Sequence, residues 1–401
     1  DFAAALGSDA PDIFYPKASA AIRLHKLNFL PSAFTFFKIR AAYGETGVLP
    51  GLNDAQVLLF NSESSGVGGG AVIDFIGNPD IEPERIREFT VGADFEIAEN
   101  YAFEFTYYIT RANDSIIDFN NAPSTGLTAS AVPFNVGAVE GKGVEASIRV
   151  TPVRTRNFQL DFGIIGNYAD NEVTDLGGAQ PIFDGFDLNV VAEGQPESAF
   201  FVPAVNGATF DENGVFTGVD VDAERSFRGR VVPEYNGSFD LTASVQNLSV
   251  YALVEWAANV SVFNNTQLFS AFFGNHAERN RLQEELAELT PQTPEYIETA
   301  NALARTNPNF DDNYIEDAGF YGLSEVSVSY NFTSLLRNNL SASFVKNLTL
   351  TASGRNLFLE SPYSGVDPGV NFSGSRSGSR NQDFLTLQRP RVFNFTVSLG
   401  L

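Results

Sequence analysis

NVGAVEGKGVEASIRVTPV, residues 135–153, is the stretch on which the fold turns. In its second half Val144, Ala146, Ile148 and Val150 take one side of an extended chain, and Glu145, Ser147 and Arg149 take the other, because successive side chains of a strand point to opposite faces. A strand of this kind separates two environments. In a soluble sandwich the apolar side meets a protein core. In a membrane barrel it meets lipid, and the polar side faces a wet lumen.

The same alternation recurs along the chain. In EFTVGADFEI the residues Phe89, Val91, Ala93, Phe95 and Ile97 oppose Glu88, Thr90, Asp94 and Glu96. In YAFEFTYYIT, Tyr101, Phe103, Phe105, Tyr107 and Ile109 oppose Glu104, Thr106, Tyr108 and Thr110. The final VFNFTVSLGL sets Phe393, Phe395, Val397, Leu399 and Leu401 against Asn394, Thr396 and Ser398. Further candidates lie at 17–24, 37–43, 158–168, 239–245, 254–260, 326–330 and 348–354, about eleven strands in all. Several reach the roughly 9–11 residues that a tilted strand needs to cross a bilayer, whereas soluble strands average about 5–6.

Composition narrows the choice. The 401 residues hold 25 Lys and Arg against 49 Asp and Glu, a net charge of −24. Nucleic acid, which binds through cations set against its phosphates, is excluded as a partner. There is no cysteine, so there is neither a disulfide framework nor a thiolate metal site. Two histidines, His25 and His276, leave little material for imidazole catalysis or zinc. No apolar run approaches the ~20 residues of a membrane helix.

The connections alternate in length. Short links at 98–100, 154–157 and 246–249 are interleaved with long ones near 45–83, 113–138, 170–233, 261–316 and 360–387. Loops beyond about 12–15 residues are uncommon in compact domains. Here they fall at every second connection, the rhythm of an up-and-down antiparallel barrel with tight turns on one rim and large loops on the other. The expected fold is therefore all-β, a transmembrane barrel with long extracellular loops. Tyr43, Tyr101, Tyr107 and Tyr168 suit an interfacial girdle. A membrane sheet has to close, and bacterial barrels usually have even strand counts, so further strands are expected upstream of an odd set of eleven. One helix is expected, in RNRLQEELAEL, where Leu282, Leu286 and Leu289 share a face within the 261–316 loop.

Candidate contacts with a transported ligand sit in the two longest loops: Phe183, Phe186, Phe200 and Phe201 in one, and Phe272, Phe273 and His276 in the other. Loops on a rigid scaffold often carry binding, although aromatics also pin loops to one another. Lys38, Arg40, Glu145 and Arg149 fall on the polar side of their strands, as candidates for the lumen wall. DENGVFTGVDVD offers Asp211, Asn213, Asp220 and Asp222 as oxygen donors for Ca²⁺, but the spacing is not that of an EF-hand, and a solvated acidic loop explains it better. No other cofactor is expected. No nucleophile–base set or paired carboxylates stand at a catalytic spacing, so an enzyme is not expected.

FYPKASAAIRL, FKIRAAYGETG, NPDIEPERIREFTVGADFEI and NVGAVEGKGVEASI, followed by LTASGRNLF, YSGVDPGV and RPRVFNFTVSLGL, resemble successive barrel segments of SusC/RagA-type TonB-dependent transporters. They come in family order over nearly the whole chain apart from the long loops. The resemblance implies a plugged barrel of about 22 strands, of which this chain would be the C-terminal half, the N-terminal plug and first barrel half lying outside it. It also implies a SusD-like surface lipoprotein over the mouth and import of glycans, peptides or similar large nutrients driven by the TonB complex. A passive porin and a soluble β-rich adhesion or glycan-binding protein are the alternative readings.

Overall fold

The computed structural model describes residues 14–400 apart from 28–29, 52–53, 56–58, 66–67, 76, 121–130, 185, 341–344 and 375–379. The chain opens with β1 (Lys17–Arg23) and β2 (Phe34–Val48), then the hairpin β3 (Leu59–Ser65) and β4 (Gly68–Phe75). Next come β5 (Glu84–Ile97), β6 (Tyr101–Asn120), β7 (Ala131–Arg154) and β8 (Phe158–Asp175). A second sheet is built from β9 (Ile182–Asp184), β10 (Asn189–Val191), β11 (Ala199–Phe210) and β12 (Phe216–Gly229). β13 (Tyr235–Val245) and β14 (Leu248–Ala258) follow, then β15 (Ser261–Asn264), α1 (Asn265–Phe272), α2 (Ala277–Glu288), α3 (Pro294–Ala304) and β16 (Ile315–Asp317). The chain closes with β17 (Phe320–Asn331), α4 (Thr333–Leu340), β18 (Asn347–Glu360), β19 (Gln382–Asp383) and β20 (Val392–Gly400).

The main sheet has eleven strands in the order β1-β2-β5-β6-β7-β8-β13-β14-β17-β18-β20, every neighbour antiparallel. Each of the eleven stretches singled out by alternation forms one of these strands. The registers carry the apolar face without a break from strand to strand: Ala41 opposes Val91, Val91 opposes Tyr107, Tyr107 opposes Val144, Val144 opposes Tyr168, and Tyr168 opposes Tyr235.

That face is bare. Phe105, Ile109 and Ile164 are 44%, 43% and 46% exposed, and Phe395 is 84% exposed. Soluble proteins rarely expose contiguous apolar patches beyond a few hundred Å². A sandwich would cover these residues, so the soluble reading fails. From Tyr101 to Ile109 the band on β6 is about as long as a bilayer crossing requires. At the short-turn rim, Ala98 and Glu99 both take positive φ, at 52° and 58°, the backbone of a tight hairpin turn.

Several expected boundaries move. β6 and β7 stay paired as far as Asn120 and Ala131, so much of the 113–138 connection is strand rather than loop. β14 begins at Leu248 and β17 at Phe320, earlier than alternation indicated. Tyr251 and Leu253 put apolar bodies on the polar face, and bulges between Leu253 and Val254 and between Leu323 and Glu325 shift the pattern. The helix expected near 279–289 is α2, but α1, α3 and α4 were not foreseen. α1 and α3 are short and draw their stability from packing and caps, with Asn264 capping α1, and Thr293 capping α3 ahead of Pro294 in its first turn. α4 occupies a connection on the short-turn side.

The long loops between β8 and β13, β14 and β17, and β18 and β20 pack together into a crown at one end of the sheet. Leu188, Phe200, Val202, Val231, Phe263, Ala271 and Tyr314, drawn from two of the three loops, form its main core. The third loop joins through Tyr363 and Val370, which pack on Val260, Val262 and Ala318.

Candidate functional site: lumen wall and crown

The polar face carries the wall. Lys38 Nζ lies 2.5 Å from Asp94 Oδ2, Arg40 Nε donates to Asp94 Oδ1 at 3.2 Å, and Arg40 Nη2 donates to Thr106 Oγ1 at 2.6 Å. Two cations thus share one carboxylate. Glu145 lies across from Thr106 and Asn167, and Arg149 across from Ala102 and Gly163. All four wall candidates sit on the polar side, as alternation places them.

The opening stretch shapes this wall further out. A side chain at Gly143 would meet Tyr108 Cζ at 2.4 Å, and one at Gly141 would meet Thr110 Oγ1 at 2.5 Å. The two glycines let Tyr108 and Thr110 lie down on the sheet. Above them, where wall meets crown, Tyr108, Thr110, Asn171, Pro196, Glu197 and Arg230 line a cavity of about 180 Å³. Asn171 Oδ1 accepts from the Glu197 amide at 3.0 Å, and Arg230 donates to Asp170 at 2.8 Å, so loop and wall are tied at the cavity rim. Sequence reading missed this site, since Tyr108 and Glu197 meet only through the fold.

Buried polar contacts lock the crown. Gln382 donates to Asn189 Oδ1 at 3.1 Å, both about 1% exposed, joining the third loop to the first. Tyr363 donates to Asp383 at 2.6 Å, and Thr266 donates to Asp383 at 3.1 Å. Asp312 takes Arg228, and also the Val205 amide at 2.8 Å. Asp367 is gripped by Arg389 through two bonds of 2.6 and 2.8 Å. Burial raises the Tyr363 phenol, and its bond to Asp383 raises it further. Burial alone pushes the Tyr314 phenol up to about 12. Burial would also raise Asp367, but the Arg389 guanidinium and the Gly369 amide hold it below the usual carboxylate range.

The loop residues expected to touch ligand do not form one group. Phe200 is fully buried in the crown core, and His276 is 8% exposed with Nδ1 accepting from the Arg279 amide at 3.0 Å as the N-cap of α2. Both side chains are held inside the crown in this arrangement. Phe183 and Phe201 pack against Val190, Ala192 and Ala199, with the Arg225 guanidinium 4.5 Å over the Phe183 ring. Phe186 is 70% exposed in a turn. Phe272 and Phe273 are exposed and meet edge to face at 5.4 Å. They continue through Phe269 to Phe384 and Phe372, an aromatic row assembled from two loops.

Asp211 and Asn213 lie in the β11–β12 turn, where Asp211 Oδ1 accepts the amides of Asn213 and Val215; Asp220 and Asp222 lie along β12, with Asp222 accepting from Asn206. Among the described residues no three His, Cys, Asp or Glu side chains converge as metal ligands.

A family model described as TonB dependent receptor-like, beta-barrel matches residues 4–357. The chain belongs to the TonB-dependent receptor β-barrel family. Two proteins named TonB-dependent receptors in Formosa agariphila are 26% and 24% identical over 97% and 96% of this chain, and 42% of each of theirs. The TonB-dependent receptor SusC of Bacteroides thetaiotaomicron is 22% identical over 81% of this chain and 32% of its own. Among solved structures, the RagAB peptide transporter superposes with a TM-score of 0.79 at 20% identity, over 99% of this chain and 44% of that one. The chain thus spans less than half the length of these relatives. Family and fold place the sheet in the bacterial outer membrane as a half-barrel, its apolar face on lipid and its polar face on the lumen.

Proposed function

We propose that this chain forms the C-terminal half of an energised outer-membrane importer for a large nutrient, an oligopeptide or a glycan. The remaining barrel strands and a plug complete the channel, a SusD-like lipoprotein closes over the crown, and the TonB complex drives release. The chain itself carries out no covalent chemistry. Ligand is held between crown and wall, then passes along the polar face. The observation that carries this reading is the joining of an eleven-stranded sheet with one bare apolar face to a crown locked by buried polar contacts. An ordered crown suits selection of a ligand better than free diffusion through a pore. The peptide cargo named for RagAB makes oligopeptides the first class to try.

The test is uptake of labelled oligopeptides and oligosaccharides by cells making the full-length protein, with and without an intact proton gradient. Gradient-dependent uptake is expected. Combining Glu145→Arg with Arg149→Glu is expected to change its rate several-fold while leaving the protein folded. Uptake indifferent to the gradient would replace the importer with a passive pore, and uptake unchanged by both reversals would remove these residues from the path.

A further inference from the structure

Two hollows on the polar face line up along a single cross-strand row. The row runs Lys17 on β1, Gly44 on β2, Glu88 on β5, Thr110 on β6, Gly141 on β7 and Asn171 on β8, each directly opposite the next. Directly opposed residues of an antiparallel pair share a face, so the whole row lies on the lumen side with Arg40 and Glu145. A hollow of about 450 Å³ covers its first half, between Lys17, Gly44, Thr46 and Glu88. The cavity of about 180 Å³ under the crown covers its second half, where Thr110, Gly141 and Asn171 meet Glu197 and Arg230. Glu88 borders the first, and its partner Thr110 borders the second. Together they make one shelf across the sheet.

Glycine keeps the shelf open. A Cβ at Gly44 would touch nothing nearer than Lys17 Cγ at 3.9 Å, and Tyr108 and Thr110 are laid low against Gly143 and Gly141. The two ends of the shelf carry opposite charges that are not committed elsewhere. Lys17 at one end and Glu197 at the other make no ion pair among the described residues, and neither does Glu88 between them. Arg230, beside Glu197, is held instead by Asp170 at 2.8 Å. Neighbouring strands are about 4.8 Å apart, so the five steps from Lys17 to Asn171 cover roughly 24 Å. An extended chain advances about 3.3 Å per residue, and about seven residues span that length. A peptide of this size with free ends carries a carboxylate and an ammonium at the matching separation. A neutral glycan carries neither.

We propose that the shelf binds an extended oligopeptide of about seven residues lying across the strands, its terminal carboxylate on Lys17 and its terminal ammonium on Glu197. Midway, the Glu88 carboxylate accepts from peptide amides, and the Thr110 hydroxyl donates to a peptide carbonyl. The space over Gly44 takes a side chain near the carboxyl end. This inference rests on the importer reading, because it names the cargo held between crown and wall. It adds a length and a requirement for two charged ends.

The experiment is calorimetric titration of the full-length protein in detergent with an unlabelled heptapeptide of alternating glycine and serine. The same peptide is run with an acetylated amino end and with an amidated carboxyl end, beside a tripeptide of like composition and maltoheptaose. Either cap, or shortening to the tripeptide, is expected to weaken binding to the wild type at least tenfold. Lys17→Gln is expected to weaken the free-ended heptapeptide as much while leaving the amidated one unchanged, and Glu197→Gln to do the same for the acetylated one. Equal binding of free and capped heptapeptides by the wild type overturns the proposal, whether or not the variants fold. So does a Lys17→Gln variant that weakens free and amidated peptides alike, or a wild type that binds maltoheptaose but no heptapeptide. Gradient-driven uptake together with equal binding of capped peptides would remove the shelf and leave the importer standing. Binding that depends on both ends, with uptake indifferent to the gradient, would keep the shelf and remove the importer.

Discussion

Phe200 is one of the largest fully buried side chains of the crown. It is fully buried among Leu188, Val202, Phe263 and Tyr314, and truncating such a side chain costs about 3–5 kcal/mol. Phe200→Ala is expected to open the crown loops to limited proteolysis while the strands below stay protected. Phe272→Ala and Phe273→Ala, at exposed rings, should leave the digestion pattern unchanged. The titrating groups of the crown give it a pH window. Tyr314 titrates near 12 in the folded state against an ordinary 10, so its contribution is whole below about pH 10 and is lost as pH rises toward 12, on the order of 2–3 kcal/mol. Asp367 works in the opposite sense. Its depressed pKa gives stability that is present above the ordinary 3.8 and fades as pH falls through the lower folded value. Hydrogen exchange of the crown amides across pH is expected to show protection falling at both ends. Flat protection from pH 3 to 12 would deny both clamps their role.

At the scale of elements, strands were legible where period-2 alternation is clean, because burial on one side only leaves a mark in every second residue. Residues 101–110 and 144–150 show it without interruption, and both lie in the lipid band. The early parts of β14 and β17 were not legible, since Tyr251, Leu253 and the bulge near Ser324 break the parity that the eye follows. α1 and α3 escaped for a different reason: their faces are decided by the crown core, which gathers residues from distant loops. The candidate site divides the same way. Lys38, Arg40, Glu145 and Arg149 follow from alternation, whereas the Tyr108–Glu197 cavity and the Phe269–Phe384 contact depend on tertiary assembly. The assignment of faces along one strand has a direct energetic consequence. Phe105→Arg, near the middle of the lipid band, is expected to destabilise the barrel by about 2–4 kcal/mol in denaturant titrations in lipid, while Thr106→Arg on the lumen side changes stability by much less. Equal effects would mean that the two faces of β6 do not meet different solvents.

For the molecule as a whole, one sheet does two jobs. Its apolar face supplies the contact with the bilayer, and its polar face, tied at the top to a locked crown, supplies the wall of a path. Everything proposed for cargo and partners rests on that division. It is most directly tested by a spin-label scan of β6, helped by the absence of cysteine among these 401 residues. Single cysteines from Phe103 to Thr110 in the full-length protein, reconstituted in bilayers, would be labelled and their collision rates measured with oxygen and with a water-soluble nickel chelate. The account predicts strict alternation, with positions 103, 105, 107 and 109 open to oxygen and 104, 106, 108 and 110 open to the chelate. Labels shielded from both reagents on the Phe103 side, as in a packed sandwich, or open to the chelate on both sides, would contradict it.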